Sequence, residues 1–339
     1  TPLQYTYQVH GTSVSSPYMT VSPVSHSYAW PPIVVGNSPT TIFKVKNEGV
    51  GPLSGSVNIP ASGELVGLWT FDAADMDWVN MKSFDTSGKG NTGTLSGSPT
   101  VSVGRFADAL HFSSAQSVNL GAASPAFDFA GDVSGAAWIK TTANNRGILS
   151  YQNGNPLIYM EVGASTAGGN ANKFVVYLRT NWGSIKVFSS TKTVNDGAWH
   201  HVAFVRSAMT GKVKLFIDGV LDSTFAYADT WPISTSGGVH SIGSLGGSYA
   251  FSGDIDDARM YNRALSMSEI SQLFNGQVVV YDPIFKCVDP IPCVFNNLAA
   301  GDSMDVTCSF SPADEFAYSA QPLFTSAGGN IIASLSGPG

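Results

Sequence analysis

The chain has 339 residues, a net charge of −7, and only 12% charged residues against the ~25% of an average soluble domain. With 36 Gly, 18 Pro and 11% aromatics it is too aromatic for a disordered chain and too turn-rich for a long helical one. Its acidity argues against a nucleic-acid partner, and no apolar run is long enough for a membrane helix. The length predicts two domains. The chain opens on Thr1 with no basic and apolar leader, which reads as a mature secreted chain or an excised segment. In chain order, period-2 alternation predicts strands over Leu3–Val9, Thr41–Lys46, Lys173–Thr180, Lys212–Asp218 and Met304–Phe310. Asn153-Gly154, Asp196-Gly197 and Asp218-Gly219 read as hairpin turns between such runs. One helix is predicted: Ser266-x-x-Glu269 forms a capping box ahead of Ile270, Leu273 and Phe274, and Gly276 ends it.

Between about Leu65 and Phe274 a series of phrases recurs in a set order. They are Leu68-Trp69-Thr70-Phe71-Asp72, Asp85-Thr86-Ser87-Gly88-Lys89-Gly90-Asn91, Gly104-Arg105-Phe106 and Ala137-Trp138-Ile139-Lys140. Gly197-Ala198-Trp199-His200-His201-Val202, Leu215-Phe216-Ile217-Asp218-Gly219 and Gly253-Asp254-Ile255-Asp256-Asp257-Ala258-Arg259 follow. In order and spacing this segment resembles the laminin-G-like, concanavalin A-like jelly rolls of secreted proteins. The flanks, with Phe43-Lys44-Val45-Lys46-Asn47-Glu48-Gly49 before and Val306-Thr307-Cys308-Ser309-Phe310-Ser311-Pro312 after, together resemble one Hydin-type (abnormal-spindle-like) immunoglobulin sandwich. Each flank alone would leave open strand edges.

The expected fold is therefore all-β, with a jelly roll inserted into a discontinuous immunoglobulin-like sandwich. The expected divisions are an N-terminal arm (1–16), the first half of the sandwich (17–62), the jelly roll (63–277) and the second half of the sandwich (278–339). The strand-like arm presents Leu3, Tyr5, Tyr7 and Val9 on one face, carries no charge over that stretch, and is expected to pair by strand addition.

The chemistry of an enzyme is missing. The chain has five glutamates, Glu48, Glu64, Glu161, Glu269 and Glu315, and none stands in a Glu-x-Asp-x-x-Glu pattern. No Gly-x-Ser-x-Gly, His-Glu-x-x-His or phosphate-binding Gly loop occurs. His200 and His201 are neighbours on a predicted strand and point to opposite faces.

The jelly-roll resemblance implies a Ca²⁺ near a sheet edge, for which Asp85, Asn91, Asp256, Asp257 and Asp72 are the candidate ligands. The competing reading gives Asp85 and Asn91 only turn-making roles. The resemblance also implies glycan binding through aromatic platforms. Trp182, Tyr177, Arg179, Trp231 and Tyr249 are the candidates, set against local packing of the same rings. Cys287 and Cys293 flank a stiff turn and are expected to form a disulfide, leaving Cys308 as a buried thiol; pairing of Cys308 with either is the rival.

Two functions follow as expectations. One is a non-enzymatic extracellular subunit of a surface appendage or filament, self-assembling through the arm. The alternative is a glycan-binding adhesin or accessory module of a larger secreted protein. The absence of any Asn-x-Ser/Thr sequon favours a prokaryotic or viral source.

Overall fold

The computed structural model describes residues 17–23, 27–31, 37–58, 65–113, 115–122, 127, 129, 131–153, 155–163, 170–180, 183–208, 210–229, 231–233, 238–277, 285–290, 293–311, 317–320, 322–327 and 329–338. The arm residues Leu3, Tyr5, Tyr7 and Val9 lie outside them, as does Trp182. The fold is all-β apart from one helix and a single 3-10 turn among the described residues. The chain divides into two compact units, Thr1–Ser62 with Pro283–Gly339, and Gly63–Asp282.

In the discontinuous unit, Thr40–Asn47 pairs antiparallel with Ser303–Phe310, so the two ends of the chain share a sheet. Met19–Ser22 and Phe285–Asp289 flank that pair. Leu53–Asn58 lies between Val294–Leu298 and Leu323–Ser326 in a second sheet. Alternation sends Phe43, Val45, Val306, Cys308 and Phe310 inward, where they meet Trp30, Phe285, Phe295 and Phe324. The Phe285 and Phe310 rings stack at 4.9 Å.

The continuous unit holds two larger sheets. In one, Trp199–Ser207 and Gly253–Tyr261 flank Val133–Lys140, and Leu65–Trp69 pairs with Gly253–Tyr261. In the other, Arg146–Asn153 lies between Asn155–Val162 and Val239–Ile242. Period-2 patterning aims Trp69, Leu110, Ile139, Phe204 and Leu215 of the first sheet at Leu149, Ile158, Met160, Phe174 and Val176 of the second, all of them buried.

Of the three expected turns, Asn153-Gly154 includes Gly154, which lies outside the described residues. Asp218 (φ 55°) and Gly219 (φ 77°) close a hairpin between Lys212–Ile217 and Val220–Ala226. Asp196-Gly197 makes no hairpin: Lys186–Thr193 and Trp199–Ser207 belong to different sheets, so the turn carries the chain across the sandwich. The helix Met267–Phe274 starts on the predicted box. Glu269 N–H donates to Ser266 Oγ, and Ser266 N–H donates to the Glu269 carboxylate.

Candidate functional site

The connection from Val239–Ile242 to Gly253–Tyr261 is a ten-residue loop built on hydroxyls. Ser150 and Ser241 share a hydrogen bond at 2.8 Å, and Ser244 Oγ donates to Ser241 Oγ at 3.2 Å. Gly246 N–H and Gly247 N–H then donate to Ser241 Oγ and Ser244 Oγ. Three buried hydroxyls thus satisfy a turn that would otherwise leave polar backbone unpaired. Phe251 N–H donates to the Gly243 carbonyl, and Thr141 Oγ1 caps the Ser252 carbonyl at 2.5 Å. Gly253 must be glycine: it sits at φ 136°, and a Cβ there would lie 2.1 Å from the Lys140 carbonyl.

This framework holds Tyr249 in the left-handed region, at φ 49°, with its carbonyl accepting from Gly147 N–H at 2.8 Å. Such a conformation costs about 1–3 kcal/mol and persists only where its surroundings over-determine it. The Tyr249 ring is 42% exposed. It borders a cavity of about 350 Å³ lined by Ala115, Arg146, Tyr249, Ala250 and Ser252. That volume lies at the small end of ligand clefts. Among the described residues the lining offers two alanines, the Tyr249 ring and phenol, the Ser252 hydroxyl and the Arg146 cation, with no carboxylate. Arg146 begins the strand Arg146–Asn153, and its Nε is buried without a hydrogen-bond partner. Two residues earlier in the chain, Asn144 Nδ2 donates to Asn172 Oδ1 at 2.6 Å, as Asn195 Nδ2 does at 3.0 Å.

The other aromatic candidates have different surroundings. Tyr177 does point away from the main core, but the outer face there is itself covered. Tyr177 is 1% exposed, stacks on Tyr159 at 5.5 Å and donates its hydroxyl to Glu161 at 2.6 Å. This corrects the platform expectation for Tyr177. Arg179 is half-buried, and its N–H continues the sheet by donating to the Leu157 carbonyl. Trp231 is 58% exposed on a rigid loop. The guanidinium of Arg206 donates to the carbonyls of Gly131, Asp229 and Trp231, and Asp229 accepts from Trp231 N–H and Thr180 Oγ1. Sequence reasoning passed over Arg146 and the serines. The available signal was an arginine following two asparagines in a charge-poor stretch.

The residues proposed for Ca²⁺ do not fit that ion. Asp85 spends its oxygens on the backbone: Oδ1 accepts from Leu68 N–H and Ser87 N–H, Oδ2 from Asn91 N–H. Asn91 donates Nδ2 to the Val66 carbonyl, and its own carbonyl accepts from Trp69 Nε1. These two residues build a turn and seat the core tryptophan. Asp72, Asp256 and Asp257 lie in a separate acidic neighbourhood and repel one another. Asp256 is buried, accepts from Arg105 N–H and Phe106 N–H, and is pushed up to about 7 chiefly by burial. Burial also raises Asp72, and Asp257 is paired with Arg259 at 2.8 Å. A Ca²⁺ site needs several ionised or carbonyl oxygens turned to one point. Among the described residues, no three His, Cys, Asp or Glu side chains form such a group.

His201 is buried against Trp138, and burial holds it down to about 3, so it stays neutral. His200 faces the other way and contacts Asp218 and Asp196. Cys287 and Cys293 form a disulfide with Cα atoms 6.2 Å apart. Cys308 is a buried free thiol, pushed up to about 12 by burial.

Residues 112–271 match the family model of the concanavalin A-like lectin/glucanases superfamily, Laminin_G_3. A segment of 137 residues is 28% identical to neuronal pentraxin-2 of Cavia porcellus, covering 36% of this chain and 31% of that protein. The chain thus spans about a third of the length of this relative. Similar solved structures include domain 4 of AbnA, a GH43 extracellular arabinanase of Geobacillus stearothermophilus, in complex with arabinotriose. It is 19% identical, with TM-score 0.47, over 62% of this chain and 98% of that one. Another is the structure titled for the dependence of botulinum neurotoxin type C cell entry on two ganglioside molecules (15% identical, TM-score 0.47, 66% and 53% covered). The native heptameric SAP-like pentraxin of Limulus polyphemus is 18% identical, with TM-score 0.35, over 60% and 82%. With its two facing sheets and this family match, the continuous unit carries a concanavalin A-like jelly roll.

Proposed function

We propose that the protein is a non-catalytic carbohydrate-binding module and that the Tyr249 cavity is its sugar site. The observation that carries this is a preformed cavity with an exposed aromatic ring, set in a domain matched to a lectin-containing superfamily. Sugars present flat C–H faces to aromatic rings and hydroxyls to polar side chains, and the cavity offers both through Tyr249, Ser252 and Arg146.

Catalysis is a poor match for these residues. Glycosidases need two carboxylates astride the bond, and none is among the described residues of the lining. Glu161 is bonded to Tyr177, Glu269 to Arg263 and Glu48 to Lys46.

An extracellular location is the companion proposal; no helix among the described residues is long and apolar enough to cross a membrane. The discontinuous unit is proposed as the Hydin-type immunoglobulin-like carrier of the jelly roll. The filament reading depends on Leu3, Tyr5, Tyr7 and Val9, on which no described residue bears, and the sugar-binding reading takes precedence.

The test is a glycan array of the full chain, followed by titration of the strongest ligand. Tyr249→Ala should lower affinity about five- to ten-fold, since one aromatic platform is worth on the order of 1–1.5 kcal/mol. Trp231→Ala should leave it unchanged. An array with no bound glycan overturns the proposal, and a loss with Trp231→Ala but not Tyr249→Ala moves the site.

A further inference from the structure

We infer that the ligand of this cavity is an acidic glycan, a sugar bearing a carboxylate or sulfate, and that Arg146 recognises its charge. The inference rests on the sugar-binding reading and adds the chemical class. Three other arginines of the same unit have polar partners: Arg206 gives its two Nη groups to three backbone carbonyls, although its Nε too is unpartnered, Arg259 is paired with Asp257 and Arg263 with Glu269. Arg146 differs from these three. Among the described residues no carboxylate lies within ion-pair distance of it, and its Nε is buried without a partner.

A buried guanidinium Nε without a hydrogen-bond partner is costly for the free protein. It becomes favourable when an anion arrives, because the planar fork of arginine matches carboxylate and sulfate oxygens with two donors. The cavity gives such an anion room: Ala115, Ala250 and Ser252 are small, and no acid is among the described residues of the wall. This local positive field stands out in a chain of net charge −7. Tyr249 supplies the adjoining apolar face, so ring stacking and charge recognition would act on one terminal residue of the glycan.

The experiment compares binding of the full chain to glucuronic acid-terminated, sialic acid-terminated and sulfated oligosaccharides, each beside its neutral parent. The acidic forms should bind at least ten-fold more tightly, and the advantage should shrink with added salt. Arg146→Gln should abolish that advantage, so that each acidic form binds no more tightly than its neutral parent. Because Arg146 Nε has no partner to lose, this variant should fold, with a melting temperature equal to or above that of the wild type. Arg146→Lys should retain sulfate binding better than carboxylate binding if the two-donor fork matters, which separates the two anion sources. Equal binding of acidic and neutral forms, or acidic binding unaffected by Arg146→Gln, overturns the inference. If neutral sugars still bind and Tyr249→Ala removes them, the sugar-binding reading survives that failure. Absence of any glycan binding overturns both.

Discussion

Trp69 and Phe43 are both fully buried, yet the cores around them keep different company. Around Phe43, in the discontinuous unit, the buried side chains are almost all apolar, and the additional chemistry is sulfur: the Cys287–Cys293 disulfide and the Cys308 thiol. Around Trp69, in the jelly roll, the interior also encloses His201, His240, Asp256, Arg206 and Glu161. The first unit should therefore answer to redox conditions and the second to pH, although both are sandwiches built by the same alternation.

The largest expected effect probes the jelly-roll core itself. Trp69→Ala removes a ring with no exposure and the hydrogen bond from its Nε1 to Asn91, and should cost about 3–5 kcal/mol in urea unfolding. A loss under about 1 kcal/mol would mean that Trp69 does not anchor this core.

pH separates the units next. Burial holds His201 and His240 down to about 3, below their ordinary 6.5. The unfolded chain then takes up protons that the folded one refuses. Stability is full above pH 6.5 and falls toward pH 3, by roughly 1.4 kcal/mol per pH unit for each histidine. Asp256 works in the opposite sense. Its folded value, raised to about 7 by burial, keeps a proton that the unfolded chain releases near 3.8. Its contribution is full below 3.8 and is lost as pH rises toward 7. Urea midpoints of the jelly roll should peak at about pH 6–7. Asp256→Asn should steepen the rise between pH 4 and 6.5 by removing the opposing contribution, and His240→Gln should soften the acid limb. A pH profile that neither substitution alters would break the contrast.

The smallest effect belongs to sulfur. Reducing Cys287–Cys293, six residues apart, should cost at most about 2 kcal/mol because the loop it closes is short. It should leave the pH profile of the jelly roll intact. Cys308, held near 12 by burial, should resist alkylation until its unit unfolds; rapid labelling of the native chain would contradict its placement.

The readability of the sequence varied with the range of the physics involved. The capping box at Ser266 and the turn at Asp218-Gly219 are local, so spacing alone announces them. The inward parity of Val306, Cys308 and Phe310 is local too. Tyr177 shows where this ends. Parity removes it from the main core, but only the fold reveals that Tyr159 and Val175 bury the opposite face. The Asp85 turn is a second case. An Asp and an Asn six residues apart suit both a cation loop and an Asx turn, and the three backbone N–H donors that fill the Asp85 oxygens settle the choice. Arg146 was silent in the sequence because its meaning lies in what it lacks, a nearby carboxylate.

By itself the sequence determined the all-β class and the placement of the one helix among the described residues, because alternation and capping act over a few residues, while the domain between Leu65 and Phe274 was legible as a resemblance carried by its ordered phrases. Tertiary structure alone decided which polar groups met partners. Hydrogen bonds and ion pairs join residues far apart in the chain, such as Asp256 with Arg105, or Ser150 with Ser241. It likewise left Arg146 and Tyr249, from separate strand connections, facing one cavity.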